Sequence, residues 1–246
     1  VQHSAWGATL EGDRDSRVRL GLSQIKGLGQ EVGERIAPAR PYRDVADLAR
    51  RAGLSRDDMD RLAAAGALGE LAGHRRQAAW AVAAVPVQRD LLLEASASEA
   101  ETPMLAAGEG EELVADYASL RLTLGRHPLS LLRKLLDPKR YITAQALRSL
   151  TDNCPARCAG IVTGRQRPGT ASGVIFLTLE DETGLTNVIV HPKLAESQRR
   201  ELLGSRLLGV LGVLQREGEV VHLIAKRLVD HSELLGRLTT SSRDFR

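Results

Sequence analysis

Aromatic residues make up only 3% of this 246-residue chain, so any core it builds is aliphatic. Cysteine is nearly absent: Cys154 and Cys158 are the only two, too few for a disulfide framework. They lack a second ligand pair, so no zinc or other metal site is expected, and a reducing compartment, the cytoplasm, is. No apolar run approaches a bilayer span and no signal peptide opens the chain, so no membrane partner is expected. A strong charge of one sign is also missing. With 34 basic residues against 31 acidic, the net charge is +3, and a polyanion could be held only by a local patch. The opening Val1, in place of Met, reads as cut from within a longer protein.

What the chain does have is 43% hydrophobic residues, enough to bury one large core or two smaller ones. Residues 1–16 are polar with scattered apolar positions and read as a short extended segment or the tail of an upstream domain. From 17 to 93 the pattern is helical. Leu22 and Ile25 lead at helical spacing into Gly27-Leu28-Gly29, and Val32 and Ile36 follow. Two glycines flanking one apolar residue allow a tight reversal, with Leu28 plugging the space between two helices. The amides of Lys26, Gly27, Leu28, Gly29 and Gln30 then lie at a helix start, where they can hold a phosphate oxygen of duplex DNA without reading sequence. A plain tight turn between packed helices is the other reading. Further on, Tyr42, Val45 and Leu48 recur up to Gly53, and Ser55 with Asp58 opens a capped helix ending at Gly66. Helix, glycine turn and helix thus occur twice, the second copy without two close glycines and read as scaffold.

Residues 94–112 are small, acidic and aperiodic, and read as a linker. Residues 113–153 read as a helical basic connector, broken at Gly125-Arg126-His127-Pro128, with His127 as a cap or turn residue. Arg126, Arg133, Lys134, Lys139 and Arg140 form a candidate phosphate patch, although such a run is equally a solvated face.

From residue 154 to 232 the period becomes alternating. Five strand-like runs with one helix, Pro192 to Leu203, between the third and fourth give the pattern of a five-stranded barrel of the oligonucleotide-binding (OB) type. The expected fold class is therefore α+β multidomain, an all-α tandem helix-hairpin-helix region followed by this barrel. Alternation puts Ile175, Leu177 and Leu179 inside and Phe176 outside, where a ring can stack on a base of a single strand. It also turns Asn187, His222 and Lys226 outward. Arg165, Gln166 and Arg167 fall on the loop between the first two strands, where they can follow a backbone. Packing of Phe176 on a neighbouring domain is the alternative. Residues 233–246 read as a C-terminal tail.

In this order the parts resemble the C-terminal region of bacterial C-family DNA polymerases, the family of the polymerase III alpha subunit. The resemblance rests on Ser4-Ala5-Trp6, Val18 to Gly29, Asp116-Tyr117, Leu124 to Leu129 and Phe176-Leu177-Thr178-Leu179-Glu180-Asp181-Glu182-Thr183-Gly184. The Gly-Arg-His-Pro form and the ending Ser241-Ser242-Arg243-Asp244-Phe245-Arg246 are most similar to the error-prone, damage-inducible branch. The resemblance implies damage-induced mutagenesis and translesion synthesis, with duplex and single-stranded template DNA, accessory mutagenesis proteins and the sliding clamp as partners. It implies a Mg²⁺-dependent polymerase domain upstream, and a non-catalytic role without cofactor for these residues. No acidic pair here is placed to hold two Mg²⁺ ions, and Asp57-Asp58 reads as helix capping. The absence of a short Gln-containing apolar clamp-binding peptide points to recruitment through a partner. The alternatives are a stand-alone single- or double-stranded DNA-binding protein and an anticodon-binding-like RNA module.

Overall fold

The computed structural model describes residues 1–12, 17–85, 104–169 and 172–239, and it divides into two compact units, Val1–Leu124 and Gly125–Arg246.

The first unit opens with an antiparallel pair, β1 (Thr9–Glu11) and β2 (Arg17–Arg19), with Leu10 opposite Val18. Its helices are α1 (Gln30–Ile36), α2 (Val45–Arg51), α3 (Arg56–Ala64), α4 (Gly69–Ala72), α5 (Arg75–Ala84) and α6 (Glu109–Leu120). Polar caps set several starts. The Asp44 carboxylate accepts from Asp47 N–H, and Ser55 and Asp58 form the capping box that their spacing predicts. Leu22, Ile25, Leu28, Ile36, Leu62 and Leu68 lie together in one aliphatic core.

Two expectations fail here. The helix foreseen before Gly27 is a single 3-10 turn, Leu22–Gln24, because Ile25 is already extended with ψ 115°. Spacing of three residues suits a 3-10 turn as well as an α-helix, and the sequence pattern did not separate them. Nor are residues 1–12 a loose tail; they include the short extended segment Thr9–Glu11 and join the first unit. Leu22 and Ser23 N–H donate to the Ala5 and Trp6 carbonyls at 2.9 and 3.0 Å, and Trp6 packs on the same core. At Gly21 any Cβ would fall 2.3 Å from the Trp6 carbonyl oxygen, so only glycine lets the two segments approach this closely.

The boundary also moves. Residues 94–103 lie outside the described residues, but Glu109–Leu120 is helix α6 and belongs to the first unit, not to a linker and connector. The cause is charge pairing over long sequence distance. Arg75 donates to Glu112 and to Asp116 (2.6 Å), Arg76 donates to Glu111 at 2.5 Å, and Lys26 N–H donates to the Ser119 carbonyl at 2.8 Å. The acids read as linker are the partners of two α5 arginines.

The second unit carries α7 (Pro128–Leu136) and α8 (Ala144–Arg148), then β3 (Pro155–Gln166), β4 (Ile175–Asp181) and β5 (Gly184–Val190). After α9 (Pro192–Ser197) and α10 (Arg199–Gly204) come β6 (Leu207–Glu217), β7 (Val220–Asp230) and α11 (Glu233–Gly236). The strands close in the order β3-β4-β5-β7-β6, with β5 and β7 parallel and the other pairs antiparallel. This is the closed five-stranded barrel expected from the alternation, with Leu177, Leu179, Val188, Val210, Leu214 and Leu223 in its core. The single helix expected at Pro192–Leu203 is two, broken at Gln198. That side chain leaves the helix to donate to the Leu228 carbonyl and accept from Leu228 N–H, both at 2.8 Å. The expected tail from 233 is structured through 239, with Leu234 and Leu238 buried; residues 240–246 lie outside the described residues.

Candidate nucleic-acid interface

The hairpin at Gly27 turns with φ +79°, a conformation that excludes most side chains, while Gly29 is ordinary extended backbone at φ −78°. Leu28 is buried and its N–H returns to the Ile25 carbonyl at 3.2 Å. Lys26 N–H is taken by Ser119. Among the described residues, no protein acceptor meets the N–H groups of Gly27, Gly29, Gln30 and Glu31. Four open donors thus converge on one turn at the start of α1. Of the five residues singled out there, Gly27, Gly29 and Gln30 offer amides, Lys26 offers an exposed ammonium, and Leu28 anchors the turn. Arg61 of α3 lies alongside, its Nε 3.1 Å from where a Gly27 Cβ would be, while it pairs with Asp57 at 2.6 Å. A Cβ at Gly29 would have only Val32 Cγ2 within 4 Å, at 3.9 Å, so nothing inside the protein requires glycine there.

A second glycine-bounded turn follows α3, at Gly66-Ala67-Leu68-Gly69, with Gly66 at φ +68° and Leu68 fully buried. It went unrecognised in the sequence because its glycines are one residue further apart, although the Gly-Leu-Gly content was visible. Here Gly66, Ala67 and Gly69 N–H are spent on Ala63, Leu62 and Gly66 carbonyls at 3.0, 2.9 and 3.3 Å. Among the described residues only Leu68 and Glu70 N–H lack a protein acceptor here, against four donors at the first hairpin.

On the barrel, strand register puts two rows side by side on the outer face. Gln166, Phe176, Ile189, Ile224 and Val213 make one; Gly164, Thr178, Asn187, His222 and Gln215 make the other. Phe176, Asn187 and His222 therefore share a face, as alternation foresaw, with an apolar row beside a polar one. His222 Nδ1 is buried without a hydrogen-bond partner among the described residues. Lys226 is exposed at a register shift, where the partners of Ala225 and Arg227 are Gly212 and Leu211 and Lys226 has none.

Arg165 and Gln166 are the last residues of β3, not loop residues. Gln166 stands beside Phe176, but Arg165 faces the other way. Its Nε donates to the Leu202 carbonyl at 2.8 Å and its Nη2 to the Ser205 carbonyl, so it closes the C-terminus of α10. Arg167 is exposed.

The basic run divides similarly. Arg133 is no phosphate ligand: Nε and Nη2 donate to Glu182 at 2.7 and 2.8 Å, and Asp181 lies 3.6 Å away. Burial alone would lower the Arg133 pKa, but the Glu182 carboxylate overrides it and the net shift is upward. Glu182 experiences the mirror effect, held low by Arg133 against its burial. Arg126, Lys134, Lys139 and Arg140 are exposed. His127 caps α7 through Nδ1, which accepts from Leu129 N–H at 3.2 Å. Burial lowers its pKa, with Glu180 opposing. Cys158 is fully buried and its thiol is pushed up to about 12 by burial, so it is not a reactive group.

A family described as a helix-hairpin-helix motif matches residues 1–78, and one described as an OB-fold nucleic acid binding domain matches residues 156–230. Curated relatives named error-prone DNA polymerase match over the whole chain. The protein of Azoarcus sp. is 58% identical over 100% of this chain and that of Dechloromonas aromatica 57% over 100%. That of Burkholderia pseudomallei is 49% identical over 98%. In each case the match covers 24% of the relative, so the chain spans about a quarter of the length of the curated relatives it matches. The chain is thus similar along its length to a quarter-length region of proteins named error-prone DNA polymerase, the likeness that its resemblance to the bacterial C-family DNA polymerases implied.

Proposed function

We propose that these residues are the DNA-engaging C-terminal part of an error-prone DNA polymerase. The first unit grips duplex backbone at the Gly27–Gly29 hairpin, and the barrel carries single-stranded template across the face of Phe176, Asn187 and His222. The observation that carries this reading is the hairpin's four amides without a protein acceptor, beside Lys26 and Arg61. Backbone donors at a helix start select phosphate without selecting sequence, as a polymerase requires. Asn187, His222 and Gln215 offer polar groups to base edges beside the apolar row, and exposed Arg126, Lys134, Lys139 and Arg140 add a sequence-independent attraction.

Nucleotidyl transfer and its Mg²⁺ belong, in this reading, to another part of the parent enzyme. The parent works in the cytoplasm in damage-induced mutagenesis and translesion synthesis, recruited to the sliding clamp through accessory mutagenesis proteins. The error-prone name of the relatives supports that role. Among the described residues, no helix is long and apolar enough to cross a membrane.

Residues 1–246 are titrated by fluorescence anisotropy with duplex DNA, single-stranded DNA and RNA of one sequence, and assayed for primer extension with Mg²⁺ and deoxynucleotides. Binding of both DNA forms without incorporation is the expected result. Preference for RNA would favour the anticodon-binding reading, and robust incorporation would overturn the non-catalytic assignment.

A further inference from the structure

Next to the Phe176 row the barrel has a cleft of about 360 Å³, lined by the end of β3, the start of β4 and the α9–α10 pair. That volume is at the low end of the roughly 300–1,000 Å³ of small-ligand sites. Its lining is mixed: Ile175, Pro192, Ala195, Leu202 and Leu203 supply the apolar part, and Leu203 is 52% exposed although nothing polar on it requires water. Three arginines line it, Arg165, Arg167 and Arg199, against one acidic residue, Glu196. Arg165 is occupied by the α10 carbonyls. Among the described residues, neither Arg167 nor Arg199 has a hydrogen bond or ion pair within the protein. Gly173, Pro192 and Arg167 stand close together on one side: a Cβ at Gly173 would lie 3.3 Å from Pro192 Cγ and 3.6 Å from Arg167 Nη2. Gln166 belongs to both places, lining the cleft and standing opposite Phe176 in the strand register.

We infer that this cleft seats one unpaired nucleotide of the single strand that stacks on Phe176. The base lies against Ile175, Pro192 and Leu203, and the phosphate is held by Arg167 and Arg199. The inference rests on the single-strand reading above. Its chemistry follows from the lining: the apolar side chains receive a base of any identity, and two arginines without a partner among the described residues suit a phosphate diester. The strand thus passes from the stacking surface of Phe176 into this cleft. Gln166 is the step between them.

The test uses residues 1–246 and a short labelled oligothymidylate, titrated at several salt concentrations. Each phosphate contact on a single strand contributes about 0.7 to the log–log salt slope. Arg167→Ala and Arg199→Ala should each flatten the slope by up to about that amount. Leu203→Ser should weaken binding about 5-fold with the slope intact, because only apolar contact is lost. Glu196→Gln should tighten binding by up to about 5-fold, a gain that misfolding cannot produce. Phe176→Ala is run in parallel. If it weakens binding while all four cleft variants keep the parental affinity and slope, the cleft is off the path and the inference is overturned, with the single-strand reading intact. If Phe176→Ala and the cleft variants all bind like the parent, the single-strand reading falls as well.

Discussion

Arg133 and Glu182 face each other fork to fork across the second unit, two parallel N–H···O bonds of 2.7 and 2.8 Å joining α7 to the β4–β5 turn. Their side chains are 15% and 18% exposed, so the pair is largely out of water and neither member is free for a ligand. The turn it holds is itself over-determined. The Asp181 carboxylate accepts from Ala144 N–H, Thr183 N–H and Thr183 Oγ1 at 2.7 Å each and from Gly184 N–H at 3.1 Å. The acidic triplet Glu180-Asp181-Glu182 is thus a fastening for α7 and α8.

Arg133→Ala strands Glu182 without its cation. For a fully buried pair such a loss costs about 3–5 kcal/mol, and the residual exposure here reduces it to about 2–3 kcal/mol. Thermal melting should show that loss, while the salt slope of DNA binding stays at the parental value. Lys134→Ala, at an exposed neighbour, should give the reverse pattern.

Acid should unfold the second unit in two stages. His231 is buried, with Nε2 3.0 Å from the Tyr141 hydroxyl, and burial together with the Lys139 charge holds its pKa below the ordinary 6.5. The unfolded chain therefore takes up a proton at higher pH than the folded one. Stability from this residue is fully present above 6.5 and falls as pH drops from 6.5 to the lowered value. His127, lowered by burial, adds to the same stage. Glu182 is held below its ordinary 4.5, so its contribution is present above 4.5 and is lost as pH falls through the depressed value. Melting temperature against pH should show both declines, and His231→Phe should shrink the upper one.

The two hairpin glycines should respond differently to alanine. At Gly27, φ +79° makes any Cβ costly, so Gly27→Ala should lower the melting temperature by about 1–2 kcal/mol in equivalent stability. At Gly29 the fold has room, so Gly29→Ala should leave stability within about 0.5 kcal/mol of the parent. Duplex affinity should fall in both, equally for every sequence. A Gly29→Ala protein with parental duplex affinity would mean that no phosphate approaches this turn.

Phe176→Ala should weaken single-strand binding roughly 5- to 150-fold, the range of one lost stacking contact. The melting temperature should change little, because Phe176 lies outside the barrel core. Isothermal titration with oligothymidylate beside a melting curve separates this from a packing role, which would move the second and not the first.

Alternation within strands made the barrel and its faces readable in the sequence, since Leu177 and Leu179 differ from Phe176 and Thr178 by parity alone. The capped start at Ser55 and the turn at Gly27 were readable for the same local reason. Partners distant in sequence were not. Nothing near Arg133 announces Glu182, 49 positions on, and nothing near Arg165 announces the carbonyls of Leu202 and Ser205. Both residues looked like free cations because a run of letters shows charge and not what neutralises it. The cleft is not legible in the sequence for a related reason: Arg167 and Arg199 come to line one space only in the folded barrel.

The clasp between α5 and α6 fixes more than the place of one helix. Glu111, Glu112 and Asp116 of α6 meet Arg75 and Arg76 of α5, while the Ser119 carbonyl of the same helix takes the Lys26 N–H beside the Gly27 turn. A slip of one residue would rotate Glu112 and Asp116 away from Arg75 together and withdraw the Ser119 carbonyl from that turn. The register of α6 is thus coupled to the geometry of the candidate phosphate site.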